Sequence, residues 1–242
     1  MKKFELTSEF VTFLGKTLFR IKALVSFGDV AEGELGGFIE RENNLDQSGD
    51  AWVCGDARVY GDARVCGDAR VYGDARVYGD ARVCGDARVY GDARVYGDAQ
   101  VYGDAWVFGD AWVFGNAWVF GNAWVYGDAQ VCGDARVFGD AWVFGNAWVC
   151  GNAWVCGDAQ VFGDARVQNC RDYSATSCFG SENRTTTFFR TKDGGISVRC
   201  GCFYGTLREF REKVKERHGD SRLAKEYLML ADLMEFRLSK DE

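Results

Sequence analysis

The chain has 242 residues, of which 47% are hydrophobic and 27% charged, with a formal net charge of −7. That composition supplies a packed core and does not fit a chain disordered by charge excess. The acidic balance argues against a general nucleic-acid binder, which neutralises phosphates with Lys and Arg, and no apolar run approaches the roughly 18–20 residues that span a bilayer.

The N-terminal stretch M-K-K-F-E-L-T-S-E-F opens with two lysines. Glu5 and Glu9 interrupt what would have to be an apolar signal core, so no secretion signal is expected. Leu18-Phe19-Arg20-Ile21-Lys22-Ala23 alternates as a half-buried strand does. Gly15-Lys16-Thr17 ends like a phosphate-binding P-loop, but that motif needs a glycine five residues before Gly15, where Phe10 stands. Residues 1–48 are expected to cap the first end of the repeat array that follows.

Residues 49–168 are twenty unbroken copies of a six-residue unit, from Gly49-Asp50-Ala51-Trp52-Val53-Cys54 to Gly163-Asp164-Ala165-Arg166-Val167-Gln168. Gly, Ala and Val never vary. The second position is Asp in sixteen copies and Asn in four (Asn116, Asn122, Asn146, Asn152). The fourth is Arg nine times, Trp eight and Gln three, and the sixth is Tyr, Phe or Cys except for Gln168. Ala and Val stand two residues apart, so they share one side of a strand, with the fourth position on the other. Gly-Asp or Gly-Asn then supplies a sharp bend. Each unit therefore predicts a short strand and a corner. A six-residue period is too short for ankyrin, leucine-rich or propeller units and matches a hexapeptide β-helix. The calcium-binding repeat is a nonapeptide of another pattern, so calcium is not expected.

Val53 and Ala57, then Val59 and Ala63, place an aliphatic residue four positions before a small one. In this the segment resembles the left-handed β-helix of the LpxA-like acyltransferase superfamily. The stretch from Leu18 to Leu45, with L-F-R-I-K-A-L, G-E-L-G-G-F-I-E and E-N-N-L, resembles the N-terminal region of bacterial and phage hexapeptide-repeat proteins described as transferases. The resemblance implies a mainly β fold, a single-stranded left-handed parallel β-helix in which three sides close a coil of about 18 residues. Between six and seven coils at roughly 4.8 Å spacing would make a rod of about 30 Å. It also implies a trimer as the favoured homo-oligomer.

Coils of that length predict three outward ladders. One carries Trp52, Arg70, Arg88, Trp106, Trp124, Trp142 and Gln160; the second Arg58, Arg76, Arg94, Trp112, Gln130, Trp148 and Arg166; the third Arg64, Arg82, Gln100, Trp118, Arg136 and Trp154. All eight tryptophans lie in them, and the array runs from an Arg/Tyr-rich half to a Trp/Phe-rich half. Trp106, Trp112, Trp118, Trp124, Trp142, Trp148 and Trp154 are therefore the candidate site. Three readings stand open: ladders that stack and stabilise the rod, a self-association surface, or a partner or ligand surface. In the last, Trp106, Trp124 and Trp142 would form a stacking platform for a carbohydrate. The arginines are expected to be neutralised by the neighbouring Asp corners.

Six of the ten cysteines (Cys54, Cys66, Cys84, Cys132, Cys150, Cys156) occupy the position that Tyr and Phe also fill, which reads as apolar packing. Free thiols in a reducing cytoplasm are the expectation. Stacking brings Cys66 beside Cys84 and Cys132 beside Cys150, within disulfide reach. Chance alone gives about one such pair, so no bond is inferred.

Residues 169–242 change composition. Thr185–Arg190 and Ile196–Cys202 flank Lys192-Asp193-Gly194-Gly195, a hairpin signal. Thr206-Leu207-Arg208-Glu209 has the capping-box pattern and opens a helix with Leu207, Phe210 and Val214 on one face. Ser221 opens a second, with Leu223, Leu228, Ala231 and Met234. The segment predicts a small α+β module and is similar to C-terminal segments of phage-associated repeat proteins. Cys170, Cys178, Cys200 and Cys202 form a four-thiolate set in composition, but seven residues separate the first pair where zinc sites have two to four. No metal or cofactor is expected.

The acyltransferases of the resembling superfamily use a histidine base on a coil, and the related carbonic anhydrases bind zinc through three histidines. This chain has one histidine, His218, outside the repeats. The carbonic-anhydrase reading lacks its ligands and the acyltransferase reading lacks its base. Ice binding on flat Thr ladders is set aside, because the repeats contain no Thr. The sequence thus points to a non-catalytic, cytoplasmic β-solenoid scaffold of bacterial or phage origin, with an acyl- or acetyltransferase as the enzyme rival. Its partners are expected to be copies of itself, a protein or a glycan, with no nucleic acid and no membrane.

Overall fold

The structure, a computed structural model, describes residues 2–239. Three strands precede the repeats: β1 (Phe4–Phe13), β2 (Lys16–Ala23) and β3 (Leu35–Ile39). Each hexapeptide then forms one two-residue strand, from β4 (Trp52–Val53) to β23 (Arg166–Val167). Every repeat valine and alanine is fully buried, and together they make one continuous core. The period-two alternation leaves the fourth residue of each unit outside.

Strands three repeats apart pair in parallel, as Arg88 with Trp106 and Val89 with Val107. The coil therefore holds 18 residues, and the three sides become three parallel sheets, the longest solenoid columns having seven strands. Backbone bonds run up each side: Trp106 N–H donates to the Ala123 carbonyl at 2.9 Å and Phe108 N–H to Val125 at 3.0 Å. The result is a parallel β-solenoid of about seven turns. At the corners glycine is required twice over. Gly109 has φ +69°, and a Cβ there would lie 3.1 Å from the stacked Gly127 nitrogen.

Both ends of a solenoid expose unpaired strands and core. At the first end β1 and β2 form an antiparallel hairpin, β2 pairs with β3, and β3 pairs in parallel with β5 (Arg58–Val59). One sheet thus changes from antiparallel cap to parallel coil. Trp52 falls under this cap and is buried, in edge-to-face contact with Phe4 and Phe27 at centroid distances of 6.4 and 5.4 Å. The Lys3 ammonium is buried beside it and donates to the carbonyls of Gly49 (3.2 Å) and Ala51 (2.9 Å). Burial pushes its pKa down to about 8.

At the other end β24 (Tyr173–Phe179), β25 (Arg184–Arg190), β26 (Ile196–Cys200) and β27 (Phe203–Thr206) form an antiparallel sheet in that order. β25 crosses the last coil. Its adjacent residues Phe188 and Phe189, both fully buried, point to opposite sides as strand alternation dictates. Phe189, with Tyr173, joins the solenoid core, while Phe188 joins a second core under helices α1 (Leu207–His218) and α2 (Arg222–Leu238). The expected hairpin and capping box are present, with Glu209 N–H donating to Thr206 Oγ1 at 3.2 Å and Thr206 N–H to the Glu209 carboxylate at 2.7 Å. β24 and β27 add to the hairpin read from sequence; S-A-T-S in β24 carries no apolar alternation that would reveal a strand. Among the described residues no helix is long and apolar enough to cross a membrane.

Candidate functional site

The outward ladders fall where the 18-residue period places them: Trp106, Trp124 and Trp142 in one column, Trp112 and Trp148 in the second, Trp118 and Trp154 in the third. What the structure adds is the orientation of the rings. The sixth-position residues stack as parallel rings in three corner columns, for example Tyr60, Tyr78, Tyr96 and Phe114, with centroids 4.8–5.0 Å apart and planes within 2°. A coil spacing of this size exceeds the roughly 3.5–4.0 Å of optimal carbon contact, so the rings slip into offset stacks, the favourable arrangement. Desolvation in such a column pushes the Tyr60 hydroxyl up to about 12.

The tryptophans pack in two directions at once. Trp124 lies parallel to Trp106 (4.9 Å, 2°) and to Trp142 (5.2 Å, 7°). Each of the three also meets a corner ring edge-on: Tyr90, Phe108 and Tyr126 at 6.1, 6.0 and 6.5 Å respectively. In the other columns cations intervene. Arg136 lies between Trp118 (4.9 Å) and Trp154 (5.0 Å), Arg94 over Trp112 (4.7 Å) and Arg166 over Trp148 (4.7 Å). A sugar needs the flat face of an indole. Both faces of Trp124 are covered by tryptophans, and Trp106 has Arg88 on its other side (5.0 Å). The indoles of Trp106 and Trp124 therefore turn edges outward, whereas Trp142 has one face on Trp124 and lines a cleft with Asp158, Gln160 and Arg199. Trp148 and Trp154 are the most exposed, at 41% and 47%, and the remaining five candidates are half-buried.

The arginines do not behave as expected. Among the described residues no repeat arginine forms an ion pair with a repeat aspartate; Arg70 instead pairs with Asp29 of the cap. The reason is position: Arg stands mid-face and Asp at the corner, so Arg88, Arg94, Arg136 and Arg166 lie over indoles of their own columns, and Arg58 and Arg76 over Phe13 of the N-terminal hairpin. The corners answer their own charge problem. Asn116, Asn122 and Asn146 each donate an amide hydrogen bond to the aspartate one coil on (Asp134 at 3.0 Å, Asp140 at 2.9 Å, Asp164 at 3.4 Å). The sequence contained that signal, since each of these asparagines precedes an aspartate by 18 residues.

The expectation of free thiols fails for one pair: Cys66 and Cys84 form a disulfide, with Cα atoms 4.7 Å apart. Adjacent coils put the two side chains in contact, which overrides the compositional argument. Cys54, Cys132, Cys150 and Cys156 are free. The column of Cys132 and Cys150 is partly desolvated, and burial pushes Cys132 up to about 11. Cys170, Cys178, Cys200 and Cys202 are not gathered around a common point; among the described residues no three Cys, His, Asp or Glu side chains are placed to hold a metal ion. His218 ends α1, and its ring lies against Tyr227 at 5.7 Å, away from the coils.

Fold and ladders together define a β-solenoid repeat protein. The YdcK beta solenoid repeat family matches the chain at residues 51–67, 63–79, 69–85, 81–97, 87–103, 99–114 and 129–143. The chain is similar to that repeat throughout these coils, all inside the hexapeptide array. No curated protein matches the chain.

Proposed function

We propose that this protein is a non-catalytic scaffold: a stiff, capped rod whose aromatic and cation–π columns serve to hold neighbouring coils together. The carrying observation is the orientation of Trp106, Trp124 and Trp142, whose flat faces are turned on one another. The placement of His218 against Tyr227 in the terminal module, remote from any coil, supports this reading over a hexapeptide-type acyltransferase. We extend the proposal to self-association, with the exposed edges of Trp148 and Trp154 as contact surface and a trimer as the assembly that the hexapeptide resemblance implies. The test is twofold. Purified protein incubated with acetyl-CoA and longer acyl-CoA thioesters should release no CoA above background; steady turnover abolished by a point substitution overturns the scaffold reading. Light scattering across a concentration series should give a closed oligomer that Trp148→Ser with Trp154→Ser dissociates; a monomer at every concentration overturns the self-association.

A further inference from the structure

A cavity of about 250 Å³ opens in the terminal module, between the segment following β24, the β26–β27 turn and α1. Its floor is apolar, formed by the buried Phe210, Val214 and Tyr227. Its rim carries Arg184, Lys213 and Arg217 against one carboxylate, Glu182. Lys213 is already paired with Glu216 at 2.8 Å. Among the described residues neither the Arg184 nor the Arg217 guanidinium has a carboxylate or hydrogen-bond partner.

Unpaired surface arginines are ordinary; two of them bordering an apolar cavity are not. The charge distribution makes the setting sharper. The repeats carry sixteen Asp against nine Arg, a net −7, whereas residues 169–242 carry fourteen Lys and Arg against twelve Asp and Glu, a net +2. The net charge of the chain thus changes sign toward this end, which disfavours an anion less here than along the coils. A guanidinium presents a planar fork that matches a carboxylate. At about 30 Å³ per water-sized group, the cavity takes roughly eight such groups. That suits a medium-length acid.

We propose that this cavity binds a small amphipathic acid, its apolar body on Phe210, Val214 and Tyr227 and its carboxylate between Arg184 and Arg217. Cys202, exposed in the β26–β27 turn, stands at the cavity wall and reports occupancy.

The experiment uses the full chain and four probes in isothermal titration: octanoate, 1-octanol, acetate and inorganic phosphate. Octanoate should bind at least tenfold more tightly than each of the others. Arg184→Glu combined with Arg217→Glu should weaken octanoate at least tenfold, about 1.4 kcal/mol, with the circular dichroism unchanged. Octanoate should also slow iodoacetamide alkylation of Cys202 while leaving Cys170 unaffected, read by peptide mass mapping on the unsubstituted protein, so a misfolded variant does not remove the test. The proposal is overturned if no probe binds, or if octanol or phosphate matches octanoate. It is equally overturned if the double variant folds and retains affinity, or if Cys202 is not protected.

Discussion

Replacing Trp124 by Ala separates a structural ladder from a binding surface. The substitution removes two parallel stacks, to Trp106 and Trp142, and one edge contact, to Phe108. At about 0.5–1.5 kcal/mol for each aromatic pair, the three contacts sum to roughly 1.5–4.5 kcal/mol. The loss should be local, because a solenoid is held by nearest-neighbour interfaces and its coils open semi-independently. Native-state hydrogen exchange is therefore the assay of choice. The amides of Trp106 and of position 124, which bond to Ala123 and Ala141 at 2.9 Å, should exchange faster in the variant. A local loss of about 2.8 kcal/mol corresponds to roughly a hundredfold. Amides near Val59, several coils away, should be unchanged. Trp154→Ala is the internal comparison, since it loses only the contact with Arg136 and the edge of Phe138. If Trp124→Ala changes exchange by less than threefold, or no more than Trp154→Ala does, the ladder is not holding the coils and the argument fails.

Four further outcomes follow from the same geometry. Asn122→Asp breaks the amide bond to Asp140 and sets a third carboxylate between Asp104 and Asp140. At coil spacing each like-charge contact costs about 0.9 kcal/mol in water, so urea denaturation should show a loss of about 2 kcal/mol that 1 M salt partly restores; indifference to salt contradicts the charge account. Gly109→Ala should cost more than Gly157→Ala, because both have positive φ (+69° and +63°) but only the former has stacked backbone within reach of the added Cβ; equal melting temperatures would remove crowding as the cause. Thr206→Ala should cost about 1 kcal/mol through loss of the α1 cap, visible as earlier melting of the terminal module by far-ultraviolet circular dichroism. Finally, the Lys3 pKa lies near 8 in the fold and near 10.5 when unfolded, so the unfolded chain binds more protons between these values and stability should rise with pH across that window. Lys3→Met should abolish the rise in thermal melts; a rise that persists in the variant refutes the assignment.

The repeat spoke for itself in the sequence because solenoid geometry is local and reiterated. Invariant Val and Ala two residues apart define an inward side, Gly-Asp defines a corner, and one period then assigns Arg88, Trp106 and Trp124 to a single column without further information. The terminal helices were legible for a similar reason, since the Thr206 and Ser221 caps act within three residues. The tertiary structure decided what depends on direction across coils. Whether Trp124 shows a face or an edge depends on the rings above and below it, and whether Arg94 meets an aspartate or an indole depends on which lies in its column. Trp52 has the same repeat position as Trp124, yet it is buried, because Phe4 and Phe27, far earlier in the chain, fold over it. The terminal cavity draws Arg184 from a strand and Arg217 from a helix. Local pattern fixes which side of a strand a side chain occupies; only packing between distant segments fixes what it touches there.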